Sequence, residues 1–307
     1  MRILPAVALA TALGACNRAP PVPRVTEGLH AINGTELFVK RIGAGEPIVV
    51  VHGGPVLEHG YLLPHLAPLA ESYELIFYDQ RLSGRSAPHV DSSTVRIGTF
   101  VDDIESLRTS LGLGRIHLMA HSWGGLLAMY YALEHEANLR SLVLLDAMAP
   151  SSKQWQEEEK ILAQRITPAD KAARRAITET DAFARRDPAA VEQLLRLSFK
   201  TQFHDPSKLA HLKLFVPDDY AERSRQFGHM MVDLTNFDLQ NELSRLTVPT
   251  LIMYGSDEPG RELGGAALHE ALPSAQFVVV ENAGHFPFID HQAQFLGVVR
   301  EFLRTNQ

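Results

Sequence analysis

Ser122 stands where the apolar run Ile116-His117-Leu118-Met119-Ala120 passes through His121 into Trp123-Gly124-Gly125. A serine hydroxyl is a weak nucleophile at neutral pH. To attack a carbonyl it needs a base for its proton, an acid to orient that base, and donors for the oxyanion that develops. A strand that turns sharply into a helix can present such a hydroxyl, provided that the residues two before and two after it are small, here Ala120 and Gly124. Val51-His52-Gly53-Gly54-Pro55 follows another apolar run, and its glycines free the backbone to aim an amide into a cleft. The amides of Gly54 and Trp123 are therefore the expected oxyanion donors.

Among fourteen histidines, His285 is best placed as the base. It lies in Glu281-Asn282-Ala283-Gly284-His285-Phe286-Pro287, after the last apolar run, where ligands bind at strand ends of open α/β sheets. His52 and His121 read as structural neighbours of the motifs. The acid is expected after the preceding run, in Tyr254-Gly255-Ser256-Asp257-Glu258-Pro259, which offers two adjacent carboxylates. Counting three forward from Gly255 reaches Glu258. Counting back from Pro273 and His285 by the spacing of relatives reaches Asp257. Asp257 is the preferred reading and Glu258 the alternative; Asp146, at the end of the run 142–145, is a third option for the acid, although a polar residue closing a strand is the favoured reading of it. A single cysteine rules out an internal disulfide and a thiolate metal site. Neither metal nor cofactor is expected.

The elements that must hold these residues alternate. Asn33-Gly34 suits a tight turn between strands over 28–32 and 35–42. Short runs over 47–51, 73–78, 116–120 and 142–145 are apolar on both faces, and helical spacing over 101–111 and 125–134 separates them. That is an α/β fold with a mostly parallel sheet flanked by helices. From 150 to 246 the strand pattern stops and charged amphipathic stretches follow prolines at 168, 188, 206 and 217, as in an all-helical cap insertion. Strands resume over 250–254 and 276–281, so the core is 26–149 together with 247–307.

Chain order and insertion resemble the α/β-hydrolase superfamily over about residues 26 to 305. More narrowly, His52-Gly53-Gly54-Pro55, Asp79-Gln80-Arg81-Leu82-Ser83-Gly84-Arg85-Ser86 and Ser122-Trp123-Gly124-Gly125 are similar to the proline iminopeptidase family of serine peptidases. The resemblance implies hydrolysis of a small ester or amide through an acyl-enzyme, with a small molecule or short peptide as substrate. It also implies that Asp79, Arg81 and Arg85 hold the loops around the site by buried charge-assisted hydrogen bonds. Val56 and Leu82 stand where that family usually has glycine. The family's cap carboxylates hold a substrate ammonium. Glu157, Glu158, Glu159, Asp218, Asp219 and Glu222 are available here, without a matching constellation. The alternatives are a carboxylesterase of small acyl esters and, from another class, a non-catalytic envelope protein on the same fold.

Twenty-nine basic against thirty-six acidic residues give a net charge of −7, with no footprint for nucleic acid. Residues 1–15 read as an export signal too short to span a membrane, and Leu13-Gly14-Ala15-Cys16 resembles a bacterial lipobox. Cys16 would carry the lipid, 16–25 would form a proline-rich tether, and the protein would be anchored in the bacterial cell envelope, at a periplasmic or outer-membrane face. Nothing in the chain indicates an oligomeric state.

Overall fold

The computed structural model describes residues 24–307, apart from Pro55. The expected signal, Cys16 and most of the tether lie outside the described residues. Strand β1 (Arg24–Ile32) already includes the tether's last two positions, because they pair with Gly43 and Ile42 of β2 (Thr35–Gly43). Asn33 and Gly34, at φ 44° and 74°, make the turn, the two positive φ angles that a right-twisted hairpin favours.

The other strands are β3 (Glu46–Val51), β4 (Tyr73–Tyr78), β5 (Ile116–His121), β6 (Leu139–Leu145), β7 (Thr250–Gly255) and β8 (Gln276–Val280). They form one eight-stranded sheet in the order β1-β2-β4-β3-β5-β6-β7-β8. The β1–β2 and β2–β4 pairs are antiparallel and the remainder parallel. Successive side chains of a strand point to opposite faces, and β3 feeds both. Val49 and Val51 join one buried apolar cluster, Ile48 and Val50 the other. The first core packs helices α1 (Ile97–Ser110) and α2 (Trp123–His135) on one face. Phe295, Val299 and Leu303 of the C-terminal helix Gln292–Thr305 pack into the second.

Between β6 and β7 the elements are helical. Those of eight or more residues are α3 (Ser152–Gln164), α4 (Pro168–Thr178), α5 (Pro188–Lys200) and α6 (Tyr220–Phe227). Their starts are set locally: Ser151, Thr167 and Asp187 each accept a first-turn amide with the side chain, and Pro168 and Pro188 occupy the first turn, where a missing N–H costs nothing. This segment lies over the carboxyl ends of the parallel strands, and its residues Trp155, Leu162 and Phe199 share a cavity with Ser122. Among the described residues no helix is long and apolar enough to cross a membrane.

Candidate active site

Ser122 is the only residue between the end of β5 and the start of α2. Its backbone sits at φ 54°, ψ −123°, a region that residues with a Cβ avoid and that marks strain held by the surroundings. Those surroundings leave no room for side chains. A Cβ on Gly124 would lie 2.5 Å from the carbonyl oxygen of Val51, and one on Gly53 would lie 2.8 Å from Ser122 Cβ. Trp123 is the first residue of the helix, so its amide has no partner in the preceding turn. It lines the same cavity as Gly54 and Ser122.

His285 lines that cavity too. Its Nδ1 lies 3.0 Å from Glu258 Oε2, while Glu258 Oε1 accepts the Gly260 amide at 3.1 Å. With Nδ1–H donating to the carboxylate, Nε2 is left as the basic nitrogen. Burial opposes charging of His285, but Glu258, with Asp146 and Glu158 behind it, outweighs burial and raises its pKa above the ordinary imidazole value.

Asp257 is not the partner of His285. Its carboxylate lies 2.6 Å from His204 Nδ1 at the exposed rim, and that bond holds its pKa below the usual range. The reversal is set by the backbone. The Asp257 amide donates to the Ala283 carbonyl and the Glu258 amide to the Gly255 carbonyl, which turns the Glu258 side chain inward. Asp146 is also more than a strand end. It is buried, and one donor atom each of Asp146, Glu258 and His285 lie within 4.8 Å of one another. The buried group Glu58, His59 and Asp79 is equally close. In both groups a carboxylate is already hydrogen-bonded to the imidazole.

His52 and His121 tie the loops together. His52 Nε2 accepts the Gln80 amide, so its Nδ1–H donates to the Gly53 carbonyl, and burial lowers its pKa to about 4. Gln80 also donates to the His52 carbonyl at 2.6 Å and accepts the Trp123 indole N–H at 2.9 Å. His121 lies 2.7 Å from the Tyr61 hydroxyl through Nδ1 and 2.8 Å from the His285 carbonyl through Nε2. A carbonyl can only accept, so His121 carries its proton on Nε2 and Tyr61 donates to Nδ1. The Tyr61 oxygen in turn accepts the Gly53 amide at 2.7 Å. One polarised chain thus runs from the Gly53 loop to the His285 loop, and burial holds the pKa of His121 far below the ordinary value.

In the Asp-Gln-Arg block, Arg81 makes a buried fork to Asp103 (2.6 and 2.8 Å), and Asp79 binds His59 and the amide of Arg85. The Arg85 side chain, expected to be buried, is exposed and stacks over Phe38 at 4.9 Å. Val56 and Leu82 both have positive φ, 66° and 63°, the conformation that favours glycine.

The cavity beside Ser122 measures about 250 Å³, and its walls include Trp155, Leu162, Phe199 and Phe227. Its carboxylates are Asp146, Glu158, Glu159 and Glu258, and among the described residues no lysine or arginine lines it. Glu158, on α3, accepts the Gly264 amide at 2.8 Å, and burial raises its pKa to about 8. The other cap carboxylates face elsewhere: Glu157 pairs with Lys160, Asp219 with Arg223 and Glu222 with Arg225, and Asp218 is exposed. A smaller apolar cavity of about 40 Å³, bounded by Leu57, Tyr61, Leu212 and Phe286, also meets Ser122 and His285. Between α5 and the rest of the cap, the Gln202 carbonyl accepts the His285 amide at 2.8 Å, and a Cβ on Gly284 would lie 2.1 Å from it.

The model of the alpha/beta hydrolase fold matches residues 46–292. This chain belongs to the α/β-hydrolase family. The α/β-hydrolase is 26% identical over 300 residues to the proline iminopeptidase of Heyndrickxia coagulans, covering 91% of this chain and 99% of that one. The proline iminopeptidase-related protein of Thermus thermophilus superposes with a TM-score of 0.70 at 22% identity, over 92% of this chain and 98% of that one. A thermophilic esterase of Thermogutta terrifontis superposes with a TM-score of 0.65 at 24% identity, over 92% and 98%. Both kinds of name occur on one fold, so the walls of the site must decide between them.

Sequence reasoning missed Tyr61, Gln80 and Gln202. Gln80 stands inside a block already singled out and was legible there. Tyr61 and Gln202 carry no spacing signal, because they act through contacts that exist only once the chain is folded.

Proposed function

We propose that this α/β-hydrolase is a serine hydrolase that cleaves the amide beyond a free amino terminus through an acyl-enzyme. The observation that carries the reading is the His285–Glu258 pair facing a cavity that also exposes Ser122 at its strained turn. Ser122 Oγ attacks the carbonyl carbon while its proton passes to His285 Nε2. The oxyanion is received by the amides of Gly54 and Trp123, and Glu258 stabilises the imidazolium. Collapse of the adduct breaks the C–N bond, and His285 delivers the proton to the leaving amine. Water then attacks the ester, His285 again takes and returns a proton, and the acid product leaves with Ser122 restored.

Support for an amine-bearing substrate comes from the carboxylates that converge on the cavity without a lysine or arginine to neutralise them. Glu158 is neutral at pH 7 and ionises above about 8. A substrate ammonium docked beside it favours the ionised form. The likeness to proline iminopeptidases points the same way. A second reading, an acyl esterase, is favoured by the small apolar cavity on the other side of Ser122.

A fluorophosphonate probe with the wild type and Ser122→Ala tests the nucleophile: covalent labelling is expected in the first and absent in the second, and labelling that survives the substitution removes Ser122 from the role. Prolyl arylamide set against a short acyl ester tests the substrate. Glu158→Gln should raise KM for the arylamide at least about tenfold, the cost of one charge-assisted hydrogen bond, and raise it less for the ester. Equal effects would favour the esterase reading. We also propose that Cys16 is lipidated and anchors the enzyme in the envelope; Cys16→Ser should move it from the membrane fraction to the soluble fraction.

A further inference from the structure

Asp146 follows the last residue of β6, and its burial is nearly complete, with 2% of its surface exposed. Its Oδ1 accepts the Gly255 amide at 3.0 Å, whereas Oδ2 is buried with no hydrogen-bond partner among the described residues. Its backbone is held at φ 38°, a conformation that non-glycine residues adopt only where the structure imposes it. A buried polar atom left unpaired on a strained residue costs stability and calls for a reason.

The surroundings supply one. Asp146, Glu258 and His285 approach so closely that one donor atom of each falls within a 4.8 Å cluster. Glu258 has a partner on each oxygen, so the unpaired atom of the cluster belongs to Asp146. Asp290 also faces Asp146, and Glu158 faces the Glu258–His285 pair from the cap. The one group among these that can become a cation is His285. Two buried carboxylates facing a single imidazole do not both ionise; one retains a proton. Burial, opposed by His285 and reinforced by Glu258, drives Asp146 far above the usual carboxylate range.

We propose that Asp146 is a second acid of the site, a positioning residue kept protonated beside Glu258, which ionises and orients His285 when the Glu258 charge is removed. The inference rests on the serine hydrolase reading. In the resting site Glu258 is the anion, His285 is neutral and Asp146 carries an O–H. During acyl transfer the imidazole gains the serine proton and Asp146 keeps its own. Without Glu258 the like charge that suppressed ionisation is gone. Asp146 then releases its proton to solvent and supplies the anion that the imidazolium needs.

The test is a double-mutant cycle on the full chain, read as the rate of fluorophosphonate labelling of Ser122 across pH. Glu258→Ala should slow labelling by roughly 10–100-fold, short of the roughly 10⁴-fold associated with complete loss of a triad acid. Asp146→Asn, which keeps the acceptor for Gly255, should slow it only a few-fold. The double variant should fall by about 10⁴-fold, well beyond the product of the single losses. If Asp146→Asn costs no more in the Glu258→Ala background than in the wild type, the proposal is overturned. An infrared difference spectrum at pH 7 reads the proton without turnover. In a Glu158→Gln background, which removes the other carboxyl held neutral at pH 7, a neutral-carboxyl band that is lost on adding Asp146→Asn is expected, and its persistence there overturns the proposal even if the Glu258→Ala/Asp146→Asn variant fails to fold. Absence of labelling in the wild type would instead sink the hydrolase reading, while the infrared band would still report on Asp146.

Discussion

His285 Nδ1 and Glu258 Oε2 stand 3.0 Å apart, while the carboxylate one residue earlier, Asp257, pairs with His204 at the rim. Adjacent residues in a turn point their side chains apart, so only one of two neighbouring acids can serve the imidazole. Asp257→Asn is therefore expected to leave kcat/KM within about a factor of two, as substitutions away from buried networks do. Glu258→Ala should lower it by one to two orders of magnitude. A larger loss at Asp257 than at Glu258 would restore Asp257 as the acid.

The sign of the pH dependence follows from the base. Only neutral His285 can accept the serine proton, and its carboxylate neighbours raise its pKa above the ordinary imidazole value of 6.5. Activity should be present above that raised pKa and lost as pH falls through it, with an acid limb above the range of an unperturbed histidine. Glu258→Gln removes the main cause of the upward shift and Asp146, ionising in its place, restores part of it, so the limb should move to lower pH by less than the full shift while the plateau falls, and move further once Asp146→Asn is added. A pH–rate profile of kcat/KM in each protein checks this, and an unmoved limb would mean that another group titrates.

Much of this was legible in the chain, for reasons that differ by element. β5, β6 and β7 announce themselves because a strand buried on both faces must be apolar throughout, and Ser122 is visible because its turn tolerates only small neighbours. The choice between Asp257 and Glu258 was not legible. It turns on which amide binds Gly255 and which binds Ala283, a matter of one residue in a loop. Asp146 looked like a polar strand end because its meaning lies in Glu258 and His285, more than a hundred residues away in the chain. The exposed Arg85 shows the same limit: a charged residue inside a motif does not declare whether its side chain or its backbone is held.

Leu82 sets two effects against each other. Its φ of 63° costs about 1–2 kcal/mol relative to glycine, yet its side chain is fully buried, with 0% exposed. Burial of a leucine contributes about 1.5–3 kcal/mol, and the cavity left by its removal adds to the loss. Burial wins, so Leu82→Gly should destabilise the protein by about 1–2 kcal/mol although it relieves the strained backbone. Denaturant unfolding at equilibrium measures the sign. A stabilised variant would show that the strain is the larger quantity and that the leucine is kept for another reason.

Tyr61 is the hinge of the chain that joins the two loops flanking Ser122. Its oxygen accepts from the Gly53 amide and its proton goes to His121 Nδ1, whose opposite nitrogen holds the His285 carbonyl. Tyr61→Phe deletes one atom and leaves a buried amide and a buried imidazole nitrogen unpaired, at a cost of about 1–3 kcal/mol for each. Part of that cost should appear as lowered stability. Another part should appear in kcat, because Gly53 precedes the proposed oxyanion donor and the His285 carbonyl belongs to the proposed base, and both must be in place when the oxyanion forms. A fall in kcat of tenfold or more with KM changed by less than threefold is expected, since a misplaced donor is felt in the transition state more than in the bound substrate. With the tyrosine hydroxyl gone, His121 keeps its Nε2–H on the His285 carbonyl but its Nδ1 loses its donor, which the nitrogen-15 shift of Nδ1 would register. A variant with normal kcat and an unshifted Nδ1 resonance would mean that the loops are held by their packing alone.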